Sequence, residues 1–152
     1  MIEFRRATIQ DVSFILSVRN LDNTRKWLDN TQTFTIEEGE SWFKKYKPVF
    51  YILNYDDVDI GYFRTSEWAS NSLCIGLDLH PDFRGKGLGK ESYITMMNYL
   101  HKHHGIERFW LKVFSENVVA FNLYKKLGFD IIEGDTFEGR DRLTMELNYN
   151  GK

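Results

Sequence analysis

Residues 84–90 read Arg84-Gly85-Lys86-Gly87-Leu88-Gly89-Lys90, so three glycines alternate with basic and apolar residues. It lies between a run that predicts a β-strand and a run that predicts a helix. Glycine has no Cβ, so it adopts positive φ easily and lets a ligand approach the main chain. The first N–H groups of a helix have no partners within the helix and lie at its positive end. We therefore predict a pyrophosphate-binding loop, to which the three basic residues add positive charge.

Two familiar phosphate-binding loops have a different spacing. A Walker A loop requires glycine at position 84 and serine or threonine at position 91, where this chain has Arg84 and Glu91. The dinucleotide fingerprint requires Gly-x-Gly-x-x-Gly, whereas the glycines here occupy every second position. The spacing argues against both alternatives.

The flanking segments predict a fold that mixes helices and strands. Leu73, Ile75, Leu77 and Leu79 alternate with more polar residues, which is typical of a strand over 72–80. Helical spacing and caps predict helices over 8–20, 35–46, 88–105 and 117–127. Further strands are predicted at 2–5, 49–55, 59–64, 109–113, 129–132 and 142–147, and 21–33 reads as a loop or broken helix. This order indicates an α/β or α+β fold with a mixed sheet.

Size and composition limit the class of protein. With 152 residues, 42% of them hydrophobic, the chain is long enough for one domain with a real core. A net charge of −2 gives no general attraction to nucleic acid or to an anionic membrane. No apolar run approaches a membrane span, and no signal-peptide region is visible. The single cysteine, Cys74, suits a reducing cytosol, so we expect a cytoplasmic protein.

A second block of sequence follows about 30 residues after the loop. It contains Asn117, Ala120, Tyr124 and Gly128-Phe129 in the pattern Asn-x-x-Ala-x-x-x-Tyr-x-x-x-Gly-Phe. Together, the two blocks resemble the GNAT superfamily of acyl-CoA-dependent N-acetyltransferases, and the similarity covers nearly the whole chain. The resemblance implies a single N-acetyltransferase domain over 1–152. It also implies about seven strands, splayed between the fourth and fifth, with about four flanking helices.

The resemblance implies where acetyl-CoA binds. The cosubstrate would lie in the opening between the strands at 72–80 and 108–114, with its pyrophosphate on the amides of 84–90. Main-chain groups of Leu77, Asp78 and Leu79 would pair with the pantetheine arm, and one N–H would polarise the thioester carbonyl. Asn117 and Phe121 would line the other side of the arm.

The resemblance also implies a general acid. Tyr124 would protonate the leaving thiolate, and the alternative is a tyrosine that only packs beside Phe121. The general base is open. Lys112 stands where members that acetylate protein N-termini often have glutamate, twelve residues before the tyrosine. Glu67 and Asp78 are the candidates, although either could be an ordinary solvated carboxylate, and a chain of waters is a third option.

The acceptor amine would bind against the N-terminal helices, where Arg25, Trp27 and Trp42 are candidate contacts. This region resembles branches that acetylate nucleotide-linked amino sugars or ribosomal-protein N-termini, and Lys112 weakens the second. Polyamines and amino acids remain open as acceptors. A non-catalytic acyl-CoA-binding module is the alternative from another class. A homodimer is common for this fold.

Other reactive side chains suggest no additional chemistry. His101 and His104 could share a helix face near His103, but no cysteine or carboxylate completes a ligand set with them or His80. We therefore expect no metal. Cys74 lies among apolar residues in a predicted strand, where cysteine is usually inert.

Overall fold

A computed structural model describes residues 1–150. Within this range, seven strands form: β1 (Ile2–Arg6), β2 (Phe50–Tyr55), β3 (Val58–Ala69), β4 (Ser72–Leu79), β5 (Arg108–Phe114), β6 (Asp130–Phe137) and β7 (Arg140–Asn148). The same range contains five α-helices: α1 (Val12–Arg19), α2 (Asp22–Arg25), α3 (Ile36–Tyr46), α4 (Leu88–His104) and α5 (Val118–Leu127). No helix in residues 1–150 has the length and apolar character that a membrane span requires.

The strands form one mixed sheet in the order β1-β2-β3-β4-β5-β7-β6. The pairs β1–β2, β2–β3, β5–β7 and β6–β7 are antiparallel, whereas β4 and β5 are parallel. The parallel register joins Ser72–Cys74 to Arg108–Trp110, although β4 continues to Leu79. The predicted seven-stranded sheet, open between the fourth and fifth strands, is confirmed.

The chain divides into two compact units. The first comprises residues 1–66 and 76–88, and the second comprises 67–75 and the chain from residue 89 onward. In the first unit, α1 and α3 approach closely at Gly39, where a Cβ would lie 2.8 Å from a Val12 methyl group. In the second unit, α4 and β5 both contribute buried side chains. These are Tyr93, Met96, Met97 and Leu100 of α4 and Phe109 and Leu111 of β5.

The predicted helix ends are confirmed in atomic detail. Thr35 and Glu38 form a reciprocal capping box at the start of α3, with bonds of 3.1 and 2.9 Å. Oδ1 of Asn117 accepts from the Ala120 amide at the start of α5, at 3.3 Å. Gly128 ends α5 with φ of 102°, a conformation that glycine adopts without strain.

The predicted element lengths were partly wrong. β3 continues to Ala69, although a strand was expected only over 59–64, and β6 continues to Phe137 rather than to 132. The last four residues of β3 and all of β6 except its last residue are exposed, so neither stretch shows the alternation that reveals a half-buried strand. The helix expected from residue 8 begins with a 3₁₀ turn at Ile9–Asp11, and the segment read as a broken helix contains α2.

Candidate active site

The glycine loop has the backbone that its sequence predicts. Gly85 and Gly87 have φ of 73° and 79°, and α4 begins at Leu88 directly after them. A Cβ added to either glycine would meet no heavy atom within 4 Å. The left-handed backbone, and not crowding, therefore requires glycine here. Positive φ at alternate residues before a helix start turns neighbouring N–H groups toward a common side, which suits an anion.

The side chain of Arg84 forms hydrogen bonds to residues outside the loop. Its Nε donates to the Leu79 carbonyl at 3.0 Å, and its Nη2 donates to Oγ1 of Thr24 at 2.9 Å. Burial lowers the pKa of Arg84 below its usual value. Arg84, Lys86 and Lys90 are all exposed, so all three contribute positive charge at the surface in and just after the loop.

Asp78 lies in a polar cluster on the first unit's part of the sheet. Its side chain is 10% exposed, and its Oδ2 lies 3.0 Å from Nε of Arg64. This contact is a close ion pair whose angle departs from that of a hydrogen bond. The buried Tyr62 hydroxyl lies near the negative charge of Asp78. Burial first, and then the charge of Asp78, raise the pKa of Tyr62 well above its usual value of 10.0. The carboxylate proposed as a base is thus ion-paired with Arg64 of β3 and lies near Tyr62 of the same strand.

Gly76 makes room for this cluster. A Cβ at residue 76 would lie 2.5 Å from Nη2 and 2.7 Å from Cζ of Arg64. The guanidinium therefore lies directly on the β4 main chain, two residues before Asp78. No local sequence signal marks glycine at this position, because the side chain that requires it lies on the neighbouring strand.

Arginine side chains hold the segment 20–34 in place. Arg25, a predicted acceptor contact, donates from Nε and Nη1 to main-chain carbonyls at 2.9 and 2.8 Å and also pairs with Asp22. Arg19 donates to two more carbonyls at 2.6 and 2.8 Å, and its guanidinium lies over the Phe34 ring. The four carbonyls belong to Asn20, Asn30, Thr31 and Gln32. Both arginines therefore shape the segment, a role that sequence reasoning missed for Arg19.

The two predicted acceptor tryptophans lie in different surroundings. Trp42 on α3 is 45% exposed, and its ring contacts Phe43, Tyr46 and Phe50. Trp27 is half-buried just after α2, with the Lys26 ammonium 4.9 Å from its ring centre. Neither placement tests a contact with the acceptor, so both stay predictions.

Tyr124 contacts a second tyrosine. Its hydroxyl lies 3.2 Å from that of Tyr93 on α4, and the two rings are nearly perpendicular with centres 5.6 Å apart. The Tyr124 ring also lies against Phe129, at 5.9 Å between centres. Tyr124 therefore packs, as the alternative interpretation requires, and also has its hydroxyl in a polar contact. The helical spacing of Tyr93 indicated only a core residue, so the sequence missed this partner.

The remaining predicted residues are located as follows. Glu67 is exposed near the end of β3, with φ of 51°, and Lys112 is exposed in β5. Phe121 is half-buried on α5, one turn after the cap residue Asn117. These positions do not test the roles expected of them.

Two of the histidines contact a main-chain carbonyl or an aromatic ring. Nδ1 of His101 lies 2.7 Å from the Ile106 carbonyl oxygen, and the His104 ring contacts Trp68. Across residues 1–150, no three potential metal ligands of the histidine, cysteine and carboxylate types are grouped together. Cys74 is half-buried in β4.

Comparison with known proteins relates this geometry to a family. The family model described as the acetyltransferase (GNAT) family matches residues 15–129. The spermine/spermidine N(1)-acetyltransferase of Bacillus subtilis is 24% identical over 152 residues, covering 96% of this chain and 99% of that protein.

Two solved structures show the same fold. The spermidine N-acetyltransferase of Vibrio cholerae, in complex with CoA and spermine, has a TM-score of 0.87 and 18% identity over 97% of this chain and 95% of its own. A ribosomal-protein alpha-N-acetyltransferase in complex with coenzyme A has a TM-score of 0.83 and 17% identity over 99% and 96% of the two chains.

Proposed function

The chain belongs to the GNAT acetyltransferase family and is an acetyl-CoA-dependent transferase, and we propose that it acetylates a primary amine, with a polyamine as the first candidate acceptor. The polyamine is supported by the Bacillus subtilis relative, whose name gives spermine and spermidine as substrates and which aligns over nearly the whole chain. Sequence reasoning ranked amino sugars and protein N-termini ahead of polyamines. We place the polyamine first here because of the name of this relative.

The glycine loop is the observation that carries the proposal. Acetyl-CoA supplies an acyl group already activated as a thioester. Its pyrophosphate fits a loop in which Gly85 and Gly87 have positive φ, no Cβ occupies the ligand side, and a helix N-terminus follows. The amides of residues 84–90 would hold the phosphates, with Lys86 and Lys90 adding charge. The Arg84 side chain would act by bracing the loop.

The end of β4 would hold the acyl arm. Main-chain groups of Leu77, Asp78 and Leu79 would pair with the pantetheine amides, as an added strand does. One of these N–H groups would donate to the thioester carbonyl, where negative charge develops during attack by the amine. A donor of this kind typically lowers the activation free energy by about 3–4 kcal/mol. Asn117 and Phe121 would line the other side of the arm.

Tyr124 would complete the proton balance. The amine nitrogen forms the new C–N bond and loses a proton, while the C–S bond breaks and the sulfur gains one. In our proposal, the Tyr124 hydroxyl gives its proton to the sulfur and recovers one from solvent. Its half-buried position on α5 is compatible with access to a ligand.

The base that accepts the amine proton is chosen from two carboxylates and water. Glu67 is exposed, whereas Asp78 is already ion-paired with Arg64 and lies near the buried Tyr62. These neighbours favour a positioning role for Asp78, so we propose that water, with or without Glu67, takes the proton.

A protein N-terminus is the second acceptor class, supported by the fold shared with the ribosomal-protein acetyltransferase. A panel of amines decides between the classes: spermidine, spermine, a nucleotide-linked amino sugar, an amino acid and a peptide with a free N-terminus. Release of CoA thiol is followed at equal amine concentration. We expect the highest kcat/KM with a polyamine. A higher value for the peptide or the amino sugar would overturn the polyamine assignment, and no release with any amine would favour the non-catalytic binding module.

We also propose a cytoplasmic location and a homodimeric assembly. The single cysteine suits a reducing compartment, which supports a cytoplasmic protein. A homodimer is proposed only because dimers are common for this fold. Light scattering of the purified chain would measure the assembly directly.

A further inference from the structure

We propose that Tyr93 is a positioning residue for the acid Tyr124: its buried hydroxyl donates a hydrogen bond to Oη of Tyr124, and so directs the Tyr124 proton toward the leaving sulfur. This inference rests on the proposed function, because it assumes that Tyr124 is the acid. It adds a residue that neither the glycine loop nor the Asn117–Phe129 pattern contains.

The geometry places the two hydroxyls in direct contact. They are 3.2 Å apart, and either oxygen could be the donor at this distance. The ring of Tyr93 stands at 88° to that of Tyr124, so the edge of one ring lies against the face of the other. Tyr93 is 1% exposed, and it enters from α4, the helix that begins at the glycine loop. The contact therefore joins α4 to α5 at the proposed acid.

A packing role alone does not account for the Tyr93 hydroxyl. Phenylalanine would provide the same ring contact, whereas a buried hydroxyl costs free energy unless it is hydrogen-bonded. The hydroxyl is therefore best explained by what it bonds to. Tyr124 lies across that bond, on a half-buried position of α5.

The direction of the bond determines its chemical effect. A tyrosine hydroxyl has one proton to donate. If Tyr93 donates to Tyr124, the Tyr124 proton remains available for the sulfur. As the O–H bond of Tyr124 breaks and the S–H bond forms, the bonding electron pair stays on Tyr124 Oη. The Tyr93 donor then stabilises the phenolate until it regains a proton from solvent, because hydrogen bonds to charged oxygens are stronger than those to neutral ones.

A double-mutant cycle measures the coupling of the two hydroxyls. Tyr93→Phe, Tyr124→Phe and the double variant are compared by kcat and by KM for acetyl-CoA. We expect Tyr93→Phe to lower kcat roughly tenfold with KM changed by less than about twofold, as for loss of one bond to a developing charge. In the Tyr124→Phe background, the same change should lower kcat by less than about twofold. Tyr99→Phe, also on α4, is the control for removing a hydroxyl from that helix.

The outcomes separate this inference from the proposed function. A wild-type kcat for Tyr93→Phe beside a large loss for Tyr124→Phe would overturn only the role of Tyr93. An equal loss from Tyr93→Phe in both backgrounds would also overturn it, since the effect would then not pass through Tyr124. A wild-type kcat for Tyr124→Phe would overturn the acid in the proposed function, and this inference with it.

A second measurement requires no turnover. Tyrosine labelled with ¹³C at Cζ gives one signal per residue, and the Tyr124 signal is assigned by its loss in Tyr124→Phe. If Tyr93 donates, Tyr93→Phe should move the titration midpoint of that signal to higher pH by about half a unit or more. An unchanged or lower midpoint would overturn the proposed direction of the bond, even if none of the tested amines is a substrate.

Discussion

Nη2 of Arg84 donates a 2.9 Å hydrogen bond to Oγ1 of Thr24, although 60 residues separate the two positions. The same guanidinium donates to the carbonyl of Leu79 at the end of β4. One side chain thus ties the glycine loop both to α2 and to the strand before the loop. Because Arg25 at the end of α2 and Trp27 just after it are predicted acceptor contacts, this bond connects the two proposed substrate regions within the first unit.

Thr24→Val tests that bond with a side chain of nearly the same shape. Thr24 is 3% exposed, and the loss of an acceptor for a charged donor should lower the free energy of unfolding by roughly 1–3 kcal/mol. KM for the amine should rise, because α2 is then held less firmly. Thr31→Val is the control, since Thr31 is exposed and contributes its carbonyl to Arg25. Urea denaturation gives the stability, and equal stability of both variants would contradict the assigned bond.

Gly87→Val tests the pyrophosphate loop against a matched control. Gly87 and Gly139 have φ of 79° and 78°, and a Cβ on either would meet no atom within 4 Å. Valine should therefore strain both sites equally, by about 1–2 kcal/mol. Only Gly87→Val should weaken acetyl-CoA binding, by more than about tenfold, because it alone removes the loop backbone from its anion-binding form. Calorimetry measures the affinity, and a similar loss in Gly139→Val would point to general destabilisation instead.

Asp78→Asn separates a structural carboxylate from a catalytic one. The change removes the ion pair with Arg64 at a carboxylate that is only 10% exposed. We expect the free energy of unfolding to fall by roughly 1–3 kcal/mol. This is less than for a fully buried pair, because the Arg64 side chain is 37% exposed. Glu67→Gln, on the exposed end of β3, should leave stability within about 0.5 kcal/mol.

The pH profiles of kcat distinguish the same two variants. If a carboxylate is the base, its amide should lower kcat by about a hundredfold or more and remove the acid limb of the profile. Because Asp78 is ion-paired with Arg64, we expect Asp78→Asn to retain the acid limb. Loss of that limb with unchanged stability would make Asp78 the base.

Asp11 should contribute stability that depends on pH. Hydrogen bonds from Arg5, at 2.8 Å to each oxygen, lower the pKa of Asp11, and the Thr8 amide adds to this. A lowered folded-state pKa means that the stabilisation is full above the unfolded value of about 3.9 and is lost as pH falls through the folded value. Asp11→Asn should therefore be less stable at pH 7 by roughly 1–2 kcal/mol. That difference from the wild type should shrink below about pH 4. A difference that is constant down to pH 2 would contradict the role of its charge.

The predictable parts of the fold depend on interactions between residues that are close in sequence. Helix caps and turn glycines each depend on residues only a few positions away. They include Thr35, Asn117, Gly128 and the glycines of the loop. Their geometry could therefore be stated from the sequence. The ends of β3 and β6 could not, because exposed strand residues have no period and their length is set by pairing with distant segments.

The missed parts of the site depend on contacts across the chain. The predicted role of Arg84 in the loop stays a prediction, and its bond to Thr24 could not be foreseen because Thr24 is distant in sequence. Gly76 is required by Arg64 on the next strand, and Tyr93 meets Tyr124 only because α4 and α5 pack together. No spacing rule within one segment can reveal such pairs.

Acetyl transfer from acetyl-CoA to a primary amine can be followed with an isotope label in the acetyl group. The chain is incubated with acetyl-CoA labelled with ¹³C in the acetyl group and with spermidine, and the amine is analysed by mass spectrometry while free thiol is measured in parallel. We predict labelled N-acetylated amine in equal amount to released CoA, with a strongly reduced rate in Tyr124→Phe. Acetyl-CoA that binds tightly but passes no label to spermidine, or to any other amine of the panel, would contradict the account.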